Sequence, residues 1–274
     1  MNFRSFWLSF SPIPHNSFMY RKTFAFILLA LSLPAASRAQ AGSSLPNAPR
    51  PSDPEAPTLR NLPMNFLRDQ GAIWTSPIHL NEHNALGPVL LVGATAILIS
   101  TDHQLMAEHL HDASVNHDSE TASTGLTGLF LAAPVAYFGV GAFKHDAKAQ
   151  ETGVLAGEAI LDSVAVSEAI KIISRRERPT VNDARGKFFQ PGVNFDSSFA
   201  SNHSVIAWSS AAVIASEYNG PLTQIVAYTL AGGVSLTRVT SRNHFPSDVL
   251  VGSAVGWMIG RYVHHRHHRA ATFD

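Results

Sequence analysis

An all-α bundle of about six core helices is the fold this sequence predicts. Three observations point to it. Apolar segments recur at about 86–100, 124–143, 151–173, 204–217, 222–239 and 248–263. They run roughly 14–23 residues and are rich in Ala, Gly, Leu and Val, which favours helix over strand. No strand-like alternation of useful length appears.

The chain has 274 residues, enough to bury a full core, and one domain of roughly 200 residues is the expected unit. Twenty basic and twenty acidic residues cancel, so no excess positive charge is available for nucleic acid. Cysteine is absent, which excludes disulfides, thiolate catalysis and cysteine-bound zinc.

Taken in order, Arg21 and Lys22 precede the apolar run F-A-F-I-L-L-A-L-S-L, and Ser37 and Ala39 are small residues of the cleavage-site type. Residues 1–40 therefore read as a secretory signal peptide, with Met19 a second candidate start and an uncleaved membrane anchor the alternative. Residues 41–63 contain Pro46, Pro49, Pro51, Pro54, Pro57 and Pro63, and read as a linker that neither forms helix nor buries much. Residues 64–85, with Phe66 and Trp74, read as an amphipathic helix and loop packing on the domain. The helical domain follows at 86–263. Residues 264–274 open with His264-His265-Arg266-His267-His268 and read as a solvated basic tail rather than a metal site.

Membrane cues conflict. Only 124–143 and 222–237 approach the roughly 20 uncharged residues of a span. The 151–173 segment carries Glu158, Asp162 and Glu168, 204–217 is short, and overall hydropathy is near zero. Lys144, Lys148 and the basic tail would share the cytoplasmic side in one topology, but that topology disagrees with a translocated N-terminus. The expectation is a soluble or peripherally attached periplasmic domain. The alternative is an integral membrane protein with its site facing the periplasm.

Three stretches carry chemistry. In K-I-I-S-R-R-E-R-P, Lys171 and Arg178 lie seven residues apart, nearly two helical turns, so one helix face would present both to a phosphate. Arg175 and Arg176 would then point elsewhere, into solvent. In S-F-A-S-N-H-S, Ser201 offers a hydroxyl, and the amides of Asn202 and His203 open a helix whose free N–H groups suit an anion. His203 is placed to act as a general acid. In R-V-T-S-R-N-H-F-P-S-D, His244 stands at the mouth of a helix begun by Pro246, and Asp248 lies four residues on, where its carboxylate can turn back to the ring. Each stretch alone matches a capped or charged helix end.

Together, K-x6-R-P, S-x-H and R-x5-H-x3-D resemble the type 2 phosphatidic-acid phosphatase and vanadium haloperoxidase superfamily, over about residues 86–263. Three positions depart from its pattern. Ala200 stands for Pro, Asn202 for Gly and Thr237 for Ser. Asn tolerates a left-handed backbone, so the amide of residue 202 can still be presented, or its side chain can crowd the pocket. The resemblance implies a phosphatase that hydrolyses phosphate monoesters or diphosphates through a phosphohistidine on His244. Asp248 would hold that ring and His203 would serve as acid and then base. Lys171, Arg178, Ser201, Asn202 and Arg238 would bind the phosphate oxygens.

The resemblance implies no metal and no cofactor, with vanadate a phosphate mimic or, in the haloperoxidase alternative, the cofactor. A degenerate non-catalytic phosphate- or lipid-binding protein is the other alternative. The expected partner is a phosphorylated lipid or a small phosphomonoester, with membrane association and no nucleic acid; oligomeric state is not legible.

Overall fold

The computed structural model describes residues 58–82, 84–108 and 112–268. The signal-peptide segment 1–40, most of the proline-rich linker and the last six residues of the tail lie outside them. Among the described residues there are seven α-helices and no strand. They are α1 (Leu62–Thr75), α2 (Leu86–Glu108), α3 (Ala113–Lys144), α4 (Ala147–Ser174), α5 (Asn202–Glu217), α6 (Pro221–Thr240) and α7 (Pro246–His267). The all-α expectation holds, and each expected apolar segment is the interior of a longer helix.

Local chemistry sets several of the boundaries. Asp112 caps α3 by accepting from the amides of Ser114 and Val115, and Asp146 caps α4 by accepting from Ala149. Between them His145 takes a left-handed conformation (φ 55°) that ends α3. Pro221 and Pro246 occupy first turns, where a missing N–H costs nothing.

Helix α5 is the hub and packs against α3, α4, α6 and α7. A helix enclosed on several sides has no solvent face to keep polar. Accordingly Ala207, Ala211, Ala212, Val213 and Ala215 are all buried. Its approach to α7 is unusually close. Cβ atoms built on Gly252, Gly256 and Gly260, which repeat every four residues, would stand 2.7, 2.4 and 2.4 Å from the backbone oxygens of Ser201, Val205 and Ser209. Only glycine fits there, and the contact fixes the start of α5 against the start of α7.

The outer helices differ. Leu86–Ala107 and Ala113–Lys144 are long and apolar enough to cross a membrane, yet only 11% and 22% of their most apolar stretches are buried. Val89, Leu90, Val92 and Ile97 on α2, and Leu131, Val135 and Phe143 on α3, are exposed. These spans include the expected 124–143 segment but not 222–237, which belongs to α6.

As expected, α1 packs on the bundle, with Asp69 buried, Ile73 against the core and Gln70 bonded to Asp162, while Trp74 is half-exposed. One expectation needs correction. The start of the histidine tail is the last turn of α7, and two of its imidazoles fold inward while His265 and Arg266 stay exposed. His264 and His267 are only 17% and 15% exposed and face the buried acids Glu217, Asp69 and Glu158.

Candidate active site

Four helix ends converge at one end of the bundle: the C-termini of α4 and α6 and the N-termini of α5 and α7. The loop from 175 to 201 closes over them. Lys171 stands in the last turn of α4 and Arg238 in the last turn of α6. Ser201 is the N-cap of α5, with Asn202 and His203 in its first turn. His244 and Asp248 flank the start of α7.

Arg178 reaches the site by a route the seven-residue spacing did not anticipate. Helix α4 ends at Ser174, and Arg175 takes a left-handed conformation (φ 41°), so Arg178 does not share a helix face with Lys171. It is carried by the loop and anchored where Nη1 donates to the Asn243 carbonyl at 3.2 Å.

The same turn buries a residue expected in solvent. Arg176 is 1% exposed. Its Nη1 donates to Asp248 Oδ1 (2.5 Å) and Ser247 Oγ (2.7 Å), its Nη2 to Asp102 Oδ2 (2.8 Å), and its Nε to the Gly186 carbonyl (3.2 Å). The guanidinium lies over the rings of Phe245 and Phe188, 4.1 and 4.7 Å from their centroids. Gly186 (φ 58°) is required beside it, because a Cβ there would meet Phe245 at 2.6 Å. Arg176 thus ties α2, the loop and α7 into one frame.

His244 is held differently from the expected way. Its Nδ1 is 2.7 Å from the Ser198 carbonyl oxygen. A carbonyl only accepts, so Nδ1 carries the hydrogen and Nε2 keeps its lone pair. Asp248 Oδ2 is 3.8 Å from Nδ1, within ion-pair range but beyond a hydrogen bond. It is occupied instead by Ser198 Oγ (2.5 Å) and the Phe245 amide (2.8 Å). Asp248 therefore positions the ring through Ser198 rather than by gripping it. Burial opposes ionisation of Asp248, but His244, Arg176 and Ser198 outweigh it and hold its carboxyl below the usual range.

Asn202 does not crowd the pocket. It begins α5 with a negative φ, and its side chain turns away to Ser167, whose Oγ donates to Asn202 Oδ1 at 2.6 Å, and to Glu168. Its first-turn amide has no intrahelical partner to find. Ser201 is fully buried and accepts from Ser204 at 3.3 Å, which leaves its own hydroxyl hydrogen to donate. Thr237 keeps its hydroxyl on the α6 backbone, bonded to the Gly233 carbonyl at 2.8 Å.

The electrostatics are those of an anion site. Burial lowers His203 to about 3, and Arg238, His244, Lys171 and Arg178 press it the same way. His244 is lowered chiefly by burial, which outweighs the support of Asp248. Lys171 is also lowered by burial, with Glu168 partly offsetting. Each cation is shared with a rim carboxylate: Lys171 with Glu168 (3.6 Å), Arg178 with Asp196 (2.9 Å) and Arg238 with Glu120 (3.0 Å). Asp196 is 86% exposed, so its pair with Arg178 is worth under about 1 kcal/mol and yields readily to a competing anion.

A tetrahedral anion entering here raises the pKa of His203, and a group whose pKa is higher in the bound state gains protons on binding. Sulfate, which stays a dianion, is expected to bind with proton uptake at about pH 5, and more tightly as pH falls. Calorimetry in buffers of different ionisation heat reads the uptake. Proton release, or uptake undiminished in His203→Gln, would contradict this field.

The sequence did not single out Asp102, Ser247, Glu120 or Asp196, and it placed Arg176 in solvent. Ser198 lay within a stretch already marked, but its carbonyl has no signature. Asp102 is 146 residues from Asp248 along the chain, and nothing local connects them.

Residues 152–271 match the model of the PAP2 superfamily. No curated protein matches the chain at a significant level. Among solved structures, the chain is similar to the crystal structure of the first transmembrane PAP2-type phosphatidylglycerolphosphate phosphatase from Bacillus subtilis. The identity is 20% and the TM-score 0.43, with 78% of this chain and 98% of that one covered.

Proposed function

We propose that this chain, which carries a PAP2-superfamily segment over residues 152–271, is a metal-independent phosphatase acting on phosphate monoesters or diphosphates, with lipid phosphates as its substrate class. The observation that carries the proposal is the Nδ1 contact of His244 with the Ser198 carbonyl, which leaves Nε2 unprotonated in a pocket of cations. A mere phosphate binder needs the cations but not a nucleophile prepared in this way.

In the proposed mechanism the Nε2 lone pair attacks phosphorus while the bond to the leaving oxygen breaks. His203, protonated once the anionic ester is bound, gives its proton to that oxygen. Neutral His203 then takes a proton from water as the water oxygen attacks the phosphohistidine. The P–N bond breaks and returns its pair to Nε2. Lys171, Arg178, Arg238, the Ser201 hydroxyl and the Asn202 amide hold the equatorial oxygens, where one preorganised donor is typically worth about 3–4 kcal/mol. Three fixed cations supply the charge that magnesium supplies in other phosphoryl-transfer sites.

Lipid selectivity is supported by the exposed apolar faces of α2 and α3. Glu120 on α3 pairs with Arg238, so a helix long enough to cross a membrane also borders the site. We infer membrane association through these two helices. Phosphate release from phosphatidic acid, an isoprenyl diphosphate and p-nitrophenyl phosphate, measured in EDTA, tests the reading. Faster release from the lipids is expected. No release from any of them, with phosphate and vanadate still bound, would move the assignment to the haloperoxidase or to a binder.

A further inference from the structure

At the end of the bundle away from the phosphate pocket, three buried carboxylates meet one imidazole. We propose that Asp69, Glu158 and His267 form a binding site for a first-row divalent cation, with Asp162 as a further ligand. Asp69 is on α1, Glu158 and Asp162 on α4, and His267 on α7. One ligand atom from each of Asp69, Glu158 and His267 lies within 4.8 Å of the others. His267 Nε2 is 2.8 Å from Asp69 Oδ2 and 3.5 Å from Glu158 Oε1. Ligand atoms around tetrahedral zinc stand about 3.3 Å apart, so little opening is needed.

The independent sign of a missing ligand is Glu158. It is fully buried, and neither of its carboxylate oxygens has a hydrogen-bond partner. Its polar neighbours are His267, Asn65 and the other two acids. Asp162, one helical turn further along α4 and on the same face, is also fully buried and leaves Oδ2 unpartnered. Uncompensated buried carboxylates are costly. The remaining contacts orient the ligands: Tyr262 Oη donates to Asp69 Oδ1 at 3.0 Å, and Gln70 Nε2 donates to Asp162 Oδ1 at 2.8 Å. Arg266 is the nearby cation, 3.4 Å from Asp69 Oδ1 and half-exposed. A divalent ion together with Arg266 balances three ionised carboxylates while His267 stays neutral to ligate.

One imidazole among carboxylates suits Zn²⁺ or Mn²⁺ better than Mg²⁺. Glu158 is thirteen residues before Lys171, about 20 Å along α4, so the ion takes no part in the phosphate chemistry. It would clamp α1 to the bundle. A second cluster joins Glu217, the last residue of α5, to His264 and His268 at the C-terminal end of α7, with one carboxylate where the first has three.

The test is to strip the full-length protein, add Zn²⁺ or Mn²⁺, desalt, and measure metal per chain and thermal midpoint. One equivalent and a raised midpoint are expected. Glu158→Gln, which keeps size and removes charge, and Asp69→Asn should each weaken binding by about 100-fold or more and abolish the midpoint rise. His268→Ala should do neither. Absence of a retained ion in the unmutated protein, full binding by Glu158→Gln, or loss only in His268→Ala would overturn the proposal.

Discussion

Replacing His244 with alanine is expected to lower phosphate release by about four orders of magnitude or more while phosphate affinity stays within a few-fold. The asymmetry follows from the site. The groups proposed to hold the phosphate oxygens are Lys171, Arg178, Arg238, Ser201 and the Asn202 amide, and none depends on the imidazole for its position. Lys171 is fixed by the last turn of α4, and Arg178 by the Asn243 carbonyl and Asp196. The imidazole supplies only the lone pair. His203→Ala is expected to behave otherwise: it spares binding and slows both the departure of the alcohol and the attack of water. A His244→Ala protein that turns over substrate at more than about a tenth of the normal rate would remove the nucleophile from the mechanism.

The second large effect is on stability, from Arg176→Met. That change keeps much of the volume and the contact with Phe245 and Phe188 but leaves Asp102 and Asp248 buried without their cation. Breaking a buried pair by removing one partner typically costs about 3–5 kcal/mol, and here one guanidinium serves two carboxylates that are no more than 1% exposed. Thermal or urea unfolding should show the loss. Because Arg176 lowers the pKa of Asp248, the variant's carboxylate should also take up a proton at higher pH. Asp248 stabilises the fold above its unfolded pKa and loses that contribution as pH falls through its folded value. The variant should therefore reach that loss sooner on acidification. Arg176→Lys keeps the charge without the fork and should recover part of the stability. A loss below about 1 kcal/mol in Arg176→Met would show that the frame does not rest on this residue.

The contrast between these two residues marks what the sequence made legible. His244, His203, Lys171 and Arg238 could be marked because each sits at a helix end, where local pattern tells of caps, prolines and first turns. Arg178 was marked by its spacing from Lys171, although a loop carries it. Arg176 could not be marked. Four basic or acidic residues follow one another after Ser174, and which of them turns inward depends on a left-handed Arg175 and on Asp102, whose place is set by tertiary packing. The nearest partner of His244 was missed for a related reason. A carboxylate four residues away is the natural choice from spacing, but a backbone carbonyl 46 residues upstream stands closer.

The helix count was readable from the apolar segments. The extent of α2 and α3 was not, since their polar ends continue well beyond the apolar cores. The histidine tail was read as solvated because a run of imidazoles and arginines has no apolar stripe. Its buried partners Asp69, Glu158 and Glu217 come from α1, α4 and α5.

The central claim is that His244 becomes covalently phosphorylated. The most direct measurement is rapid quenching of the protein during turnover, followed by mass spectrometry of its peptides, in unmutated and His203→Ala forms. The account predicts a base-stable, acid-labile phosphate on His244 that accumulates in His203→Ala turning over p-nitrophenyl phosphate, whose leaving group departs without an acid while the releasing water still lacks its base. Turnover with no phosphorylated peptide, or with phosphate on any other residue, would contradict it.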